Sequence, residues 1–538
     1  MKITGQLVDI HKRDIYPAII SISGGKIESV ERTNSAPDIY IMPGLIDSHI
    51  HIESSMITPG AFAMAAVKHG TCGVVSDPHE IANVLGITGV EFMINDAEKV
   101  PLNFFFGAPS CVPATKFESN GANMDHIIVR KLLERSDIRY LSEMMNFRGV
   151  IYKDSEVLKK LDCAKELNKP IDGHAPGLSG ELLRKYIAAG ISTDHECSNL
   201  AEAKEKISLG MKILIREGSA AKNLDSLKDL FNTNPDKVML CSDDLHPETL
   251  QERHINKLIA GLISEGYNEF DVIRSATINP SEHYDLEAGM LRRGDSADFI
   301  LVDTLKKMNV QETWIKGEKV FADGTVFFKY NASSPVNSFN CKPVIESDIQ
   351  VKRKHDKIRI IVAVEGELLT REIQGSSGTT EYVKSDISND VLKIVVKDRY
   401  KDLPPAIGFI KGFGIKKGAF ASSIAHDSHN IIAVGTNDRD LINSINEIVA
   451  LQGGLAVSDV GTVNSIQLNI GGIMTTRSCE EIAHDYDNLN HLVSSMGCRM
   501  KAPFMTLSFM ALLVIPDLKI GDRGLFDVKK FEQVSLFV

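Results

Sequence analysis

Between residues 42 and 244, six short apolar runs each end in a histidine or a carboxylate, and helical stretches separate them. The first is Met42-Pro43-Gly44-Leu45-Ile46-Asp47-Ser48-His49-Ile50-His51. The second, Val74-Val75-Ser76, leads into Asp77-Pro78-His79-Glu80. Residues 138–146 carry Glu143, 170–177 carry His174, and 191–196 carry His195. Residues 237–244 close the series with Asp243 and Asp244. Residues 155–168 and 180–189 read as helices between these runs. Strand–helix alternation over roughly 240 residues predicts parallel α/β architecture, and the span suits a (β/α)8 barrel. In such a barrel every strand C-terminus opens on one face, so residues distant in sequence converge there.

Several of these residues carry two readings. Side chains two apart on a strand share a face, so His49 and His51 could grip one metal ion. The same pair fits two ordinary half-buried histidines. The lead-in 39–42 reads as a buried strand, with Pro43-Gly44 allowing a bend before the histidines. Asp77-Pro78-His79-Glu80 is not the HExxH zinc motif, because Asn83 stands where the second histidine would be. At a strand end these residues suit proton transfer, substrate contact or support of metal ligands. Asp77 before Pro78 equally fits a helix N-cap with proline at the first helical position. Glu53, Ser54 and Ser55 either orient the first ligands or form a plain loop. Adjacent strand residues point to opposite faces, so only one of Asp243 and Asp244 should reach a shared ion.

Length and composition bound the remaining classes. A chain of 538 residues holds two to four domains. With 43% hydrophobic and 24% charged residues it can bury large cores. A net charge of -11 argues against a nucleic-acid-binding body, and the short basic segment 351–355 reads as solvated. The eight cysteines include no CxxC pair, so neither a zinc ribbon nor a disulfide framework is favoured. Residues 1–5 lack an apolar signal core. The apolar stretch 504–515 stops at Pro516 and is too short to span a bilayer, so it reads as a buried core element. The expectation is a cytoplasmic, soluble protein with neither nucleic acid nor membrane as partner.

The flanks of the barrel organise separately. Residues 6–10, 18–22 and 27–30 read as short strands, with a turn at Gly24-Gly25-Lys26. A similar pattern returns at 299–303, 310–315 and 319–321. The predicted division is a small β-domain or β-sandwich from 1–42 plus 284–330, split in sequence by a barrel at 43–283. Residues 330–343 read as a linker. An α+β domain occupies 344–538, with strands near 358–364 and 391–396 and helices near 439–451 and 478–496.

The longer motifs carry a resemblance. HxH after Pro43-Gly44-Leu45-Ile46-Asp47, lone histidines after two later strands and an aspartate after the last resemble the amidohydrolase superfamily. Within it the chain is similar to the bacterial-type adenine deaminases. The segments are His49-Ile50-His51-Ile52-Glu53-Ser54-Ser55-Met56, Asp77-Pro78-His79-Glu80-Ile81-Ala82-Asn83, Glu143-Met144-Met145-Asn146-Phe147, Gly173-His174-Ala175-Pro176, Asp194-His195-Glu196 and Ser242-Asp243-Asp244. His426-Asp427-Ser428-His429-Asn430 and 507–512 extend it into the C-terminal part.

That resemblance implies metal-dependent hydrolysis of adenine to hypoxanthine and ammonia, in purine salvage or catabolism. It implies two divalent ions. His49, His51 and Asp243 would hold the first, and His174 and His195 the second. Glu143 would bridge them where many relatives use a carboxylated lysine. Mixed nitrogen and oxygen ligands suit Mn or Fe(II), with Zn also possible. Two cations on one water lower its pKa, giving hydroxide that attacks adenine C6. Asp243 would take the water proton and pass it to the leaving amine. Asp77 joins Asp243 and Glu143 as a catalytic candidate, and His79, Glu80 and His429 are candidates for substrate contact. A homo-oligomer is expected for an enzyme of this size.

Alternatives stay open at this level. The His426–His429 turn could be a further metal site, a loop covering the barrel mouth, or a solvated turn before the strand at 431–434. His69, His126, His254, His283 and His355 have no partners at ligand spacing. The same metal set would serve an amidohydrolase acting on a cyclic amide or ureide. A non-catalytic scaffold is the third reading; loss of a ligand would signal it, yet all six expected ligands are present.

Overall fold

The computed structural model describes residues 1–219, 221–365 and 367–538. They form two compact units. The first comprises residues 1–78, 92–110 and 125–333, and the second 79–91, 111–124 and 334–538.

In the first unit, the two flanks of the barrel share one sheet. Its order, by strand, is Thr325–Val326, Glu318–Ala322, Val310–Ile315, Phe299–Val302, Tyr40–Pro43, Lys2–Asp9, Asp14–Ser23 and Lys26–Arg32. Phe299–Val302 pairs antiparallel with Tyr40–Pro43, joining segments some 260 residues apart. One face of the sheet encloses its own core, with Leu7, Ala18, Ile20, Ile41, Phe299 and Trp314 all buried. Trp314 stacks on Phe299 with ring centroids 5.5 Å apart. The turn between Asp14–Ser23 and Lys26–Arg32 uses Gly24 and Gly25 at φ 56° and 75°, which glycine adopts without steric cost.

The 39–42 lead-in is a strand of the flanking sheet and does not continue into the histidine strand. Gly44 makes the transition, and the histidines sit on a separate strand, Leu45–His51. A Cβ at Gly44 would fall 2.2 Å from the Cys72 sulfur, so the bend requires glycine for space.

The barrel strands run parallel. Leu45–His51, Thr71–Ser76, Asn103–Ala108, Ile138–Met144 and Ile171–Gly173 pair in succession. Thr193–Asp194, Lys212–Arg216 and Val238–Cys241 continue the series. Ser192 N donates to Ile171 O at 2.9 Å between the two runs. The ring closes where Asp243–Asp244 pairs with Leu45–His51. Every residue of Leu45–His51, Thr71–Ser76 and Val238–Cys241 is buried, as expected for strands covered on both faces. Two of these strands, Asn103–Ala108 and Lys212–Arg216, escaped the sequence reading.

The intervening helices follow local rules. Ser155–Glu166 starts at Asp154, whose carboxylate accepts from Glu156 N and Val157 N. It buries Val157, Leu161 and Ala164, which lie on one helical face. The chain leaves it through Asn168 at φ 52°.

The second unit is built on a sheet ordered Thr370–Ser376, Lys357–Ala363, Ala406–Lys411, Leu392–Lys397, Ile431–Gly435, Ala419–Ser422, Gly454–Asp459 and Thr462–Gln467. Its pairing is antiparallel except between Lys357–Ala363 and Ala406–Lys411. Helix Asp438–Leu451 packs Leu441, Ile445 and Ile448 onto Ala419, Ala421, Ala433 and Ala456. The small alanines let the helix sit close to the sheet. Helix Cys479–Ser495 opens with a reciprocal cap between Ser478 and Glu481. Residues 503–515 are buried apart from half-buried Val514. Among the described residues no helix is long and apolar enough to cross a membrane.

Candidate active site

The parallel topology gathers the expected ligands of the first unit. His49 and His51 end their strand, Glu143 lies near the end of Ile138–Met144, and His174, His195 and Asp243 each stand just past a strand. All are buried. His49 and His51 meet edge to face with centroids 4.8 Å apart, and His49 stacks on His195 at 4.4 Å. Asp243 Oδ1 lies 3.2 Å from His51 Nε2 and 3.8 Å from His49 Nε2.

Glu143 faces both groups. Its Oε1 is 3.4 Å from His51 Nε2, while Oε2 is 2.7 Å from His174 Nδ1 and 3.1 Å from His195 Nε2. Burial alone would raise this carboxyl's pKa. The imidazoles of His174 and His195 override that and hold it well below the usual range.

Asp243 and Asp244 diverge, as alternation required. Asp243 has φ 58°, a left-handed conformation that aspartate tolerates better than most residues. It turns toward the imidazoles. Asp244 instead accepts from Ser54 Oγ at 2.5 Å, so Ser54, in the short helical turn Ile52–Ser55, supports the second acid rather than a histidine. Asp77 follows Thr71–Ser76, and its carbonyl oxygen lies 3.1 Å from His51 Nδ1. That contact orients the ring so that Nε2 faces the acids.

One charged residue of this centre was missed from sequence. Arg216 ends Lys212–Arg216 and is buried. Its Nη1 donates to Asp243 Oδ2 at 2.6 Å and also contacts Glu196 Oε1, while Nη2 donates to Glu196 Oε2 at 3.1 Å. Burial opposes the ionised form of Asp243, but Arg216 together with His51 and His195 outweighs it, holding the carboxyl well below its ordinary range. The available signal was the apolar run Lys212-Ile213-Leu214-Ile215 ending in a charge.

His254 also gains a role. Its Nε2 is 2.8 Å from Asp47 Oδ2, and Thr71 Oγ1 lies 2.6 Å from its Nδ1. Asp47 accepts from Ser242 N at 3.0 Å and His49 N at 3.3 Å. One buried aspartate thereby ties the backbone at His49 to the residue before Asp243.

The chain as a whole was then compared with known proteins. The Amidohydrolase family matches residues 40–320, and the Adenine deaminase C-terminal domain matches residues 367–532. A curated relative from Salinibacter ruber, named adenine deaminase, is 49% identical over 539 residues, covering 100% of this chain and 99% of its own. Another so named, from Methanosarcina barkeri, is 50% identical over 543 residues, covering 99% and 98%. A third, from Parabacteroides distasonis, is 46% identical over 537 residues, covering 100% and 98%.

The chain belongs to the amidohydrolase family, in its adenine deaminase group.

The donor set of this amidohydrolase fits a divalent cation. Among the described residues, neither ring nitrogen of His49 has a hydrogen-bond partner, and His174 Nε2 has none, although all three atoms are buried. Buried polar atoms are otherwise almost always satisfied, so these point to ligands they lack. His49, His195 and Asp243 bring donor atoms within 4.8 Å of one another, as do Glu143, His174 and His195.

The remaining candidates form a second cluster, within the second unit. His79 and Glu80 open helix His79–Leu85. Glu80 Oε1 lies 2.8 Å from His426 Nδ1 and 3.5 Å from His79 Nε2, and Oε2 contacts His429 Nε2. His426 stacks on Phe509 at 4.9 Å. The solvated-turn reading of 426–430 is wrong: all five residues are buried. Some of their polar groups are used internally, as where Asn430 Oδ1 accepts from Arg399 N at 3.2 Å.

Proposed function

We propose that this chain hydrolyses adenine to hypoxanthine and ammonia at the His49/His51/Glu143/His174/His195/Asp243 centre. The observation that carries this reading is near-50% identity to adenine deaminases along the whole chain, with all six ligand positions occupied by suitable donors. We propose a divalent pair, Mn or Fe(II) ahead of Zn, held by His49, His51 and Asp243 on one side and His174 and His195 on the other, with Glu143 between them. When bound, such a pair supplies a water acidified to near neutral pH and a Lewis acid.

The chain's own groups do the rest. Asp243 commits Oδ2 to Arg216 and keeps Oδ1 for the reacting side. It takes a proton from the attacking water and returns it to the exocyclic nitrogen. The C6–O bond forms, the C6–N bond breaks, and ammonia leaves. Ring N1 must gain a proton as charge develops there, and the proton left on the C6 hydroxyl returns to the donor group as the carbonyl forms. The acids and histidines of Asp77-Pro78-His79-Glu80, with His429, are the proposed substrate contacts and proton donors. Support comes from the sequence itself, since the strand that ends near Asp77 delivers Glu80 three residues later. The reading includes a cytoplasmic homo-oligomer that takes a small-molecule substrate and neither nucleic acid nor membrane.

The test is adenine turnover by metal-stripped protein reloaded with Mn, Fe(II) or Zn. Ultraviolet absorbance follows hypoxanthine and a parallel assay follows ammonia. Metal-dependent release of both is expected. No turnover at full metal occupancy would overturn the reading in favour of a cyclic amide or ureide substrate.

A further inference from the structure

We propose that Lys206 is the positioning residue for the His174–His195 half of the centre. The inference rests on the two-ion reading above. Lys206 lies on helix Leu200–Ser208, the helix that follows the His195 strand, and its side chain is fully buried. Its ammonium donates to Ala175 O at 2.8 Å, Asp194 Oδ2 at 2.9 Å and Glu202 Oε1 at 2.8 Å. An ammonium has three donors, and all three are used.

The acceptors explain the role. Ala175 follows His174 and Asp194 precedes His195. Asp194 Oδ1 accepts from Ala175 N at 2.8 Å, closing a direct link between the two loops. Glu202 Oε1 also accepts from Gly177 N at 2.9 Å, and Oε2 from Ser198 N at 3.3 Å. One cation and two carboxylates thus fasten together the loops that carry both imidazoles. A buried ammonium is costly, and packing alone would be met by methionine. What methionine would lose is all three hydrogen bonds, to the Ala175 carbonyl and to the carboxylates of Asp194 and Glu202.

The other half is fastened differently. His49 and the residue before Asp243 are tied through Asp47, which receives no contact from Lys206 in that network. The two halves should therefore fail separately.

The experiment is Mn(II) titration of the full-length protein, with bound metal counted and paramagnetic resonance used to detect a coupled pair. Wild type is expected to bind two coupled ions. Lys206→Met is expected to bind the second ion about 10–100-fold more weakly and to lose the coupling, with the first ion's affinity unchanged. Two coupled ions at wild-type affinity in Lys206→Met would overturn the proposal. A wild type that binds one ion overturns the two-ion reading, and the proposal with it, before any variant is made. Should Lys206→Met fail to fold, Lys206→Met/Glu202→Gln keeps the cluster's net charge and decides between the same two results.

Discussion

Glu143 and Glu80 are both buried carboxylates gripped by imidazoles, yet their surroundings set them to different work. Glu143 sits on a barrel strand, and its partners come from other strand ends. Glu80 opens a short helix, and two of its partners come from the 426–430 turn. The clearest difference is in the histidines. Burial disfavours the charged form of both His195 and His429. Around His195 the carboxylates of Glu143, Asp243 and Glu196 overcome burial and raise its pKa to about 9. At His429, Glu80 pulls the same way, but His426 and Arg399 oppose it, and the pKa falls to about 4. The carboxylates of the first cluster favour positive charge on the groups they face. The second keeps the His429 imidazole neutral near pH 7. The number of histidines does not separate the two clusters; the balance of charged groups around them does.

Four substitutions test that contrast. Glu143→Gln should strip the metal centre and lower kcat on the order of a thousandfold or more. Full activity and metal content in that variant would end its bridging role. Arg216→Met leaves Asp243 and Glu196 buried without their cation. It should destabilise the fold by about 3–5 kcal/mol, read from denaturant unfolding of matched metal-free samples. A loss below about 1 kcal/mol would mean that the two acids do not depend on Arg216.

In the second cluster the signature should differ. Glu80→Gln is expected to reduce kcat/KM by roughly a hundredfold while metal stoichiometry stays at the wild-type value. Loss of metal alongside activity would erase the distinction between the clusters. The smallest effect is expected for His429→Ala, a rise in KM of about tenfold with kcat nearly unchanged. Unchanged kinetics would remove His429 from substrate contact.

The barrel was legible because each early strand advertises itself twice, by an apolar run and by a polar residue at its end. Asn103–Ala108 lacked the second signal: Phe104, Phe105 and Phe106 run into Gly107 and Ala108. Lys212–Arg216 ended in an arginine, which in isolation reads as a surface cation. Only the neighbouring strand ends, carrying Glu196 and Asp243, give it a buried role. His254 was passed over for a similar reason, since its partners Asp47 and Thr71 lie more than 180 residues away.

The sequence by itself determined the α/β class, the split flanking strands and the six strand-end residues proposed as donors, because periodicity and residue chemistry are local properties. It also separated Asp243 from Asp244 in principle, since adjacent strand residues cannot share a face. Tertiary structure decided which acid turns inward, through the left-handed backbone at Asp243. It decided that the 426–430 turn is buried, that Arg216 pairs with Asp243, that Asp47 links His49 N to Ser242 N, and that Lys206 pairs with Asp194. Those outcomes depend on charges and hydrogen bonds between segments far apart in the chain. Their energies exist only when folding removes water from around them and brings opposite groups within 3 Å.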